Sequence, residues 1–180
     1  MGFLAQNVAL GLIMWYKKGV MAEFKIRKIE EKDIAGTAKV FSEAFNFADK
    51  EEGWNTETAC EYVKYWMKRK PDLFFIVERG HEIVGGIAGD IKPFKGDITL
   101  TEVVLFVSPK YHKQGIAKKL VKEIIEESVE KYDVSTVDGI ANSEVKFPMG
   151  WYERLGFKQT KWVYIEGKAE ELLKNLESAS

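Results

Sequence analysis

The most informative chemistry in this 180-residue chain lies between Val104 and Ala117. The segment reads Val-Leu-Phe-Val-Ser-Pro-Lys-Tyr-His-Lys-Gln-Gly-Ile-Ala, an apolar run suited to a buried strand, then a short loop, then the opening of a long helix. The first turn of a helix has N–H groups with no intrahelical acceptor, and the helix dipole adds partial positive charge there. Such a terminus holds anions, phosphates above all. Gly115 and Ala117 are small enough to let the backbone come close to a ligand. Lys113, Lys118 and Lys119 add positive charge nearby. The residues alone point to a phosphate-bearing ligand at this turn, or else to a glycine that merely serves a loop-to-helix corner. Neither GxGxxG nor GxxxxGK[ST] occurs, so a dinucleotide fingerprint and a P-loop are both absent.

Among the carboxylates, Glu102 stands just before the apolar run Val103–Val107, where a half-buried side chain accepts a proton more readily than a solvated one. Asp90, Glu78 and Asp138 are weaker candidates, expected to be structural or solvated. His81 and His112 are the only histidines and Cys60 the only cysteine, so neither a metal site nor an internal disulfide is expected. Cys60 lies in a helical pattern with apolar neighbours and reads as a small core residue. Lys and Arg number 27 against 28 Asp and Glu, a balance that gives no electrostatic reason to expect nucleic acid.

The elements that must position these residues follow from periodicity. Residues 22–29 alternate as a half-buried strand does. A helical pattern from Asp33 puts Ile34, Ala38, Phe41 and Phe45 on one side. Thr56 is the expected N-cap of a second helix that ends before Pro71. Leu73–Glu78 and Glu82–Ile91 form a hairpin around Arg79-Gly80-His81. Gly85, Gly86 and Gly89 suggest a bulge or a close backbone approach in its second strand. Asp97–Val107 is a long strand, and its unalternating end belongs in a sheet covered on both faces. The clearest helix follows, with Ile116, Ala117, Leu120, Val121, Ile124, Ile125 and Val129 as its apolar stripe. A short strand (Ser135–Ile140), a helix ending at Gly156, a last strand (Phe157–Ile165) and a terminal helix (Lys168–Leu176) complete the order. Helices interleaved with one mixed sheet predict a three-layer α/β domain.

With that order in place, His112-Lys113-Gln114-Gly115-Ile116-Ala117 resembles the signature loop [RQ]-x-x-G-x-[GA] of the GCN5-related N-acetyltransferases (GNAT), with His112 where Arg or Gln is usual. Trp151-Tyr152-Glu153-Arg154-Leu155-Gly156-Phe157 resembles the same family's Y-x-x-x-GF helix end. The two signatures stand in the family's order, and the expected elements match over residues 22–166. The resemblance implies an α/β (α+β mixed), three-layer acyl-CoA N-acyltransferase-like fold, with a central mixed, mostly antiparallel sheet flanked by helices. It implies acetyl-CoA as cosubstrate, no metal, and transfer of an acetyl group to a primary amine of a small molecule or protein by direct attack in a ternary complex. Cofactor contacts would come from Leu105, Phe106, Val107, His112, Lys113, Gln114, Gly115, Ile116, Ala117, Lys118 and Asn142. In the strand, the Phe106 or Val107 N–H would polarise the thioester carbonyl.

An amine must be neutral to attack a thioester, so a base or a water chain has to remove its proton. By resemblance, Tyr152 is the general acid that protonates the leaving thiolate, and Glu102 is the candidate base, with a water relay as the alternative. The first two helices and their loop would shape the acceptor pocket. Phe45, Phe47, Trp54, Tyr62 and Trp66 with Asp49, Glu51 and Glu52 offer cation–π and charge contacts for an amine, or simply core and solvated surface. A CoA-binding sensor or regulatory module with decayed chemistry is the competing reading, and the presence of both Tyr152 and Glu102 speaks against it.

On this reading residues 1–21 are an apolar extension, 22–166 the acetyltransferase domain and 167–180 a C-terminal helix and tail. Phe3–Tyr16 is shorter than the roughly 20 apolar residues that span a bilayer and lacks a signal peptide's charged start and cleavage site. Residues 1–20 are therefore expected to be dispensable, with Met21 as a possible start; the rival is a helix packed on the domain, on a partner subunit or on a membrane surface. A cytoplasmic location is expected, with an amine acceptor and no nucleic acid or membrane as partners. A homodimer stays open.

Overall fold

The structure is a computed structural model that describes residues 23–141, 146–161, 163–164 and 167–178. The apolar extension and Asn142 lie outside the described residues. The chain forms two compact units, divided between Gly139 and Ile140.

The first unit is built on five strands in the order β1 (Phe24–Lys28), β2 (Phe74–Arg79), β3 (Glu82–Phe94), β4 (Asp97–Val107) and β5 (Thr136–Val137). The first four pair antiparallel and β5 pairs parallel with β4. Helices α1 (Ile34–Ala48) and α2 (Thr56–Arg69) cover one face, and α3 (Ile116–Tyr132) covers the other. The expected mixed, mostly antiparallel sheet between helical layers is what forms. Alternation along β4 serves both layers: Val104 and Phe106 pack into the core that holds Phe41, Val63 and Trp66, while Val103, Leu105 and Val107 pack with Ile116, Leu120 and Ile124. Two buried faces are why the run needs no polar alternation.

Local signals set the boundaries. Helix α2 is capped by Asn55, whose side chain accepts from the Thr58 N–H at 3.0 Å while Thr58 Oγ1 accepts from the Asn55 N–H at 3.2 Å. The expected cap, Thr56, is instead the first helical residue, because Asn55 completes a reciprocal capping box one position earlier. In α3 the stripe Ile116, Leu120, Ile124 continues to Ser128, which is buried and donates to the Ile125 carbonyl at 2.9 Å. Val129, expected in the stripe, is 48% exposed, since at about 3.6 residues per turn it has rotated away from the sheet.

The glycines of β3 do what their positions suggested. A Cβ on Gly86 would lie 2.6 Å from Phe106 Cζ and 3.0 Å from the Phe75 carbonyl oxygen; one on Gly85 would lie 2.7 Å from the Phe106 carbonyl oxygen. Gly89 sits at a register shift, where Ala88 pairs with Val104 but Asp90 pairs with Thr101. Glu102 and Val103 therefore face a single residue across the ladder, which is a β-bulge.

Strand β5 is shorter than the expected Ser135–Ile140. Its ladder stops at Leu100–Val137, immediately before the bulge changes which edge the backbone of β4 addresses. Between 157 and 164 no described residue is in a strand, contrary to expectation. Apolar–polar alternation makes a strand only where a ladder and a core receive it, and Val163 and Tyr164 are 81% and 70% exposed.

The second unit contains α4 (Lys146–Arg154) and α5 (Ala169–Ser178). Helix α4 closes in a Schellman turn: the Gly156 N–H donates to Glu153 O at 3.0 Å and the Phe157 N–H to Tyr152 O at 3.1 Å. Gly156 has φ +100°, a conformation that favours glycine. The turn brings the Phe157 ring edge-on to Tyr152 at 5.5 Å. The Y-x-x-x-GF spacing is thus the spacing of this cap and its hydrophobic contact.

Candidate acyl-donor and acceptor site

Strand β4, the loop after it and the start of α3 form one continuous feature. The Ser108 N–H donates to Val84 O on β3 at 2.9 Å. Backbone groups alternate along a strand, so Phe106 and Val104 also address β3, while Leu105 and Val107 address the opposite edge. That edge has no strand partner among the described residues beyond Leu100. Phe106 was expected to offer its N–H to the pantetheine arm or the thioester. Its backbone is instead committed to the β3 side, opposite Gly86, and its ring is buried in the α1–α2 core. The bulge at Glu102 makes this selection.

The loop is held from below. Tyr111 is buried and its hydroxyl donates to Glu82 Oε2 at 2.7 Å; the Tyr111 N–H donates to Ser108 O at 2.9 Å. His112 Nε2 lies 3.0 Å from the Val107 carbonyl oxygen. A carbonyl only accepts, so Nε2 carries the proton. His112 thereby ties the loop back to the end of β4, and its ring meets Phe47 of α1 edge-on at 5.8 Å. The resemblance assigned His112 to the cofactor; in this structure its side chain braces the loop.

Lys113 (φ +61°) and Gly115 (φ +79°) turn the chain into α3. Gly115 is the N-cap and supplies no capping side chain, and the first helical bond runs from the Lys119 N–H to Gly115 O at 3.2 Å. The N–H groups of Ile116, Ala117 and Lys118 precede that bond in the helix's first turn. Around Gly115 there is open space where a Cβ would stand. Ile116 is buried and anchors the helix, whereas His112, Lys113, Gln114, Gly115, Lys118 and Lys119 are exposed. These residues fit a pyrophosphate: open first-turn amides, a glycine corner and ammonium groups in reach of solvent.

Glu102 lies in the bulge with φ +52°, in the left-handed region. Its side chain is half-buried, at 50% exposure. It accepts from Arg69 at 3.0 Å and 3.4 Å. Arg69, the last residue of α2, also donates through Nε to Asp90 and through a terminal nitrogen to the Tyr65 hydroxyl. Beside this cluster an aromatic group runs through Trp54, Tyr62, Tyr65 and Trp66, with Trp54 Nε1 donating to Glu52 at 2.9 Å. Burial pushes the Tyr62 hydroxyl's pKa up. The weaker carboxylate candidates are structural, as expected: Glu78 pairs with Arg27, and Asp138 accepts from Thr101 at 2.5 Å and pairs with Lys92 at 2.9 Å.

Tyr152 lies on α4 in the second unit, between Trp151 and Phe157, and burial raises its hydroxyl's pKa. No cluster of His, Cys, Asp and Glu suited to a metal occurs among the described residues. No described helix is long and apolar enough to cross a membrane.

Among the described residues, a mixed sheet lies between helical layers and a strand edge without a strand partner leads into a glycine-capped helix, which is the architecture of an acetyltransferase. The GNAT acetyltransferase domain matches residues 70–159, half of the chain, and the protein belongs to that family of acetyltransferases. Its sequence is similar to an uncharacterized N-acetyltransferase of Methanocaldococcus jannaschii, at 27% identity over 165 residues, covering 89% of this chain and 70% of that one. Its fold is similar to a crystal structure with acetyl-CoA of a predicted acetyltransferase from Clostridium acetobutylicum (TM-score 0.62, 18% identity, 80% of this chain and 96% of that one). It is likewise similar to glucosamine-6-phosphate N-acetyltransferase from Arabidopsis thaliana (TM-score 0.59, 16% identity, 82% and 99% covered).

Proposed function

We propose that this acetyltransferase uses acetyl-CoA to acetylate a primary amine by direct attack in a ternary complex. The observation that carries the reading is the continuity of the open β4 edge with the glycine-capped start of α3. Amides of Ile116, Ala117 and Lys118 hold the pyrophosphate, assisted by Lys113 and Gln114. Leu105 and Val107 pair with the pantetheine arm, and one of their N–H groups donates to the acyl oxygen. Acetyl-CoA supplies the activated acyl carbon, whose bond to sulfur is exchanged for one to nitrogen. Glu102, open to solvent, takes the proton of the incoming amine. Tyr152 gives its proton to the departing sulfur, a role suited to a hydroxyl kept protonated by burial.

Kinship to a glucosamine-6-phosphate acetyltransferase fold and the carboxylate–aromatic surface near α2 support an amine acceptor. The test is release of free thiol from acetyl-CoA in the presence of n-butylamine, lysine amide, glucosamine and kanamycin. Amine-dependent release is expected with at least one. A protein that binds CoA tightly but acetylates none of them would be a sensor instead.

A further inference from the structure

No motif marks Arg69, yet its guanidinium donates to both carboxylate oxygens of Glu102. We propose that Arg69 is a positioning residue for acetyl transfer: its guanidinium bridges Asp90 and Glu102 and thereby aims the Glu102 carboxylate at the acceptor. The inference rests on the reading of Glu102 as the acceptor's base.

Three observations carry it. The first is the geometry of the contacts. The Arg69 fork reaches Glu102 through both terminal nitrogens, at 3.0 Å and 3.4 Å, while Nε holds Asp90. A planar guanidinium makes such directed contacts to two carboxylates at once, which an ammonium cannot reproduce. The second is that Arg69 is itself fixed. The Tyr65 hydroxyl accepts from it, and its Cζ lies 5.6 Å and 5.5 Å from the Tyr65 and Trp66 ring centroids. Trp66 is buried in the α1–α2 core, so Arg69 transmits the position of that core to the sheet surface.

The third is the condition of Glu102 without it. The side chain is half exposed and springs from a bulge residue at φ +52°. Asp90 pairs with Thr101, the neighbour of Glu102, so the two carboxylates share one stretch of the β3–β4 ladder. Without the bridging cation they would repel each other, and a long exposed side chain would turn away. Among the described residues, the other non-glycine residues with positive φ (Lys95, Lys113 and Asp133) stand outside the strands. A left-handed residue inside a strand, held by an arginine from another layer, is local strain of the kind that marks functional positions.

The test is a double-mutant cycle on the full chain, read with the four amines named above. Glu102→Gln should lower kcat by roughly a hundredfold. Arg69→Gln should lower kcat about tenfold, with KM for acetyl-CoA unchanged, and the double variant should be no slower than Glu102→Gln alone. Arg69→Lys should recover only part of the loss, and it keeps the test alive if Arg69→Gln fails to fold. Thermal melts of each variant establish folding. Losses that multiply in the double variant, or an Arg69→Gln enzyme as fast as wild type, overturn the assignment while leaving the acetyltransferase reading intact. A wild-type protein that releases no thiol with any of the amines removes the reading of the site, and the role of Arg69 with it.

Discussion

At the scale of single residues, the account turns on a few groups whose surroundings fix what they can do. Tyr152 is a proton donor only while protonated, and burial moves its pKa upward. The high-pH fall in kcat due to this group should therefore come above the ordinary phenol value of about 10, and a pH–rate profile carried to strong alkali checks it. Tyr152→Phe should lower kcat by at least about tenfold and leave the acetyl-CoA dissociation constant within about twofold of wild type. Unchanged turnover would remove Tyr152 from the mechanism. The turn at Gly115 and the helix end after Tyr152 were legible in the sequence because each belongs to a local motif whose spacing is set by one turn of backbone. Arg69 was not. Its carboxylate partners are 21 and 33 residues away, and an arginine in the last turn of a helix otherwise reads as a complement to the helix dipole. Nor was it legible that the backbone of Leu105, and not that of Phe106, faces the outer edge of β4, since this depends on a bulge that reverses the facing of every backbone group after it.

At the scale of elements, two packing features lend themselves to measurement. Gly86 lets β3 lie against the Phe106 ring and the β2 backbone. Gly86→Val would force both apart and should cost about 1–3 kcal/mol in urea unfolding. The turn between β1 and α1 is pinned by a two-point pair in which Arg27 donates to Asp33 at 2.6 Å and 2.9 Å. Hydrogen bonds from Arg27 hold the buried Asp33 carboxyl below the usual carboxylate range, despite the opposing effect of burial. Because the folded pKa is depressed, this stabilisation is complete above the unfolded value of about 3.9. It is lost as the pH falls through the lower, folded value. Arg27→Met strands the buried carboxylate and should cost about 3 kcal/mol at neutral pH, with the difference from wild type shrinking in acid. Element order and most boundaries were legible from periodicity. The last strand does not form among the described residues, because alternation reports amphipathicity, and a ladder needs a partner that no local pattern specifies.

At the scale of the whole molecule, the sheet buried on both faces carries the strand edge and helix start that form the proposed cradle. That double covering was legible in the apolar, unalternating end of β4, because a strand with one wet face would have to alternate. A ligand that binds only the folded cradle raises its apparent stability, by about 2.7 kcal/mol at a hundredfold excess over the dissociation constant. Acetyl-CoA should therefore raise the melting temperature measurably. The most direct test is a calorimetric titration of the folded protein with CoA and, in parallel, with pantetheine, which carries the same thiol arm but no pyrophosphate. Saturable one-site uptake of CoA is expected, with pantetheine binding at least about a hundredfold more weakly, as loss of a bound pyrophosphate requires. Equal affinity for the two, or no uptake of CoA at all, would contradict the claim that the start of α3 grips the phosphates.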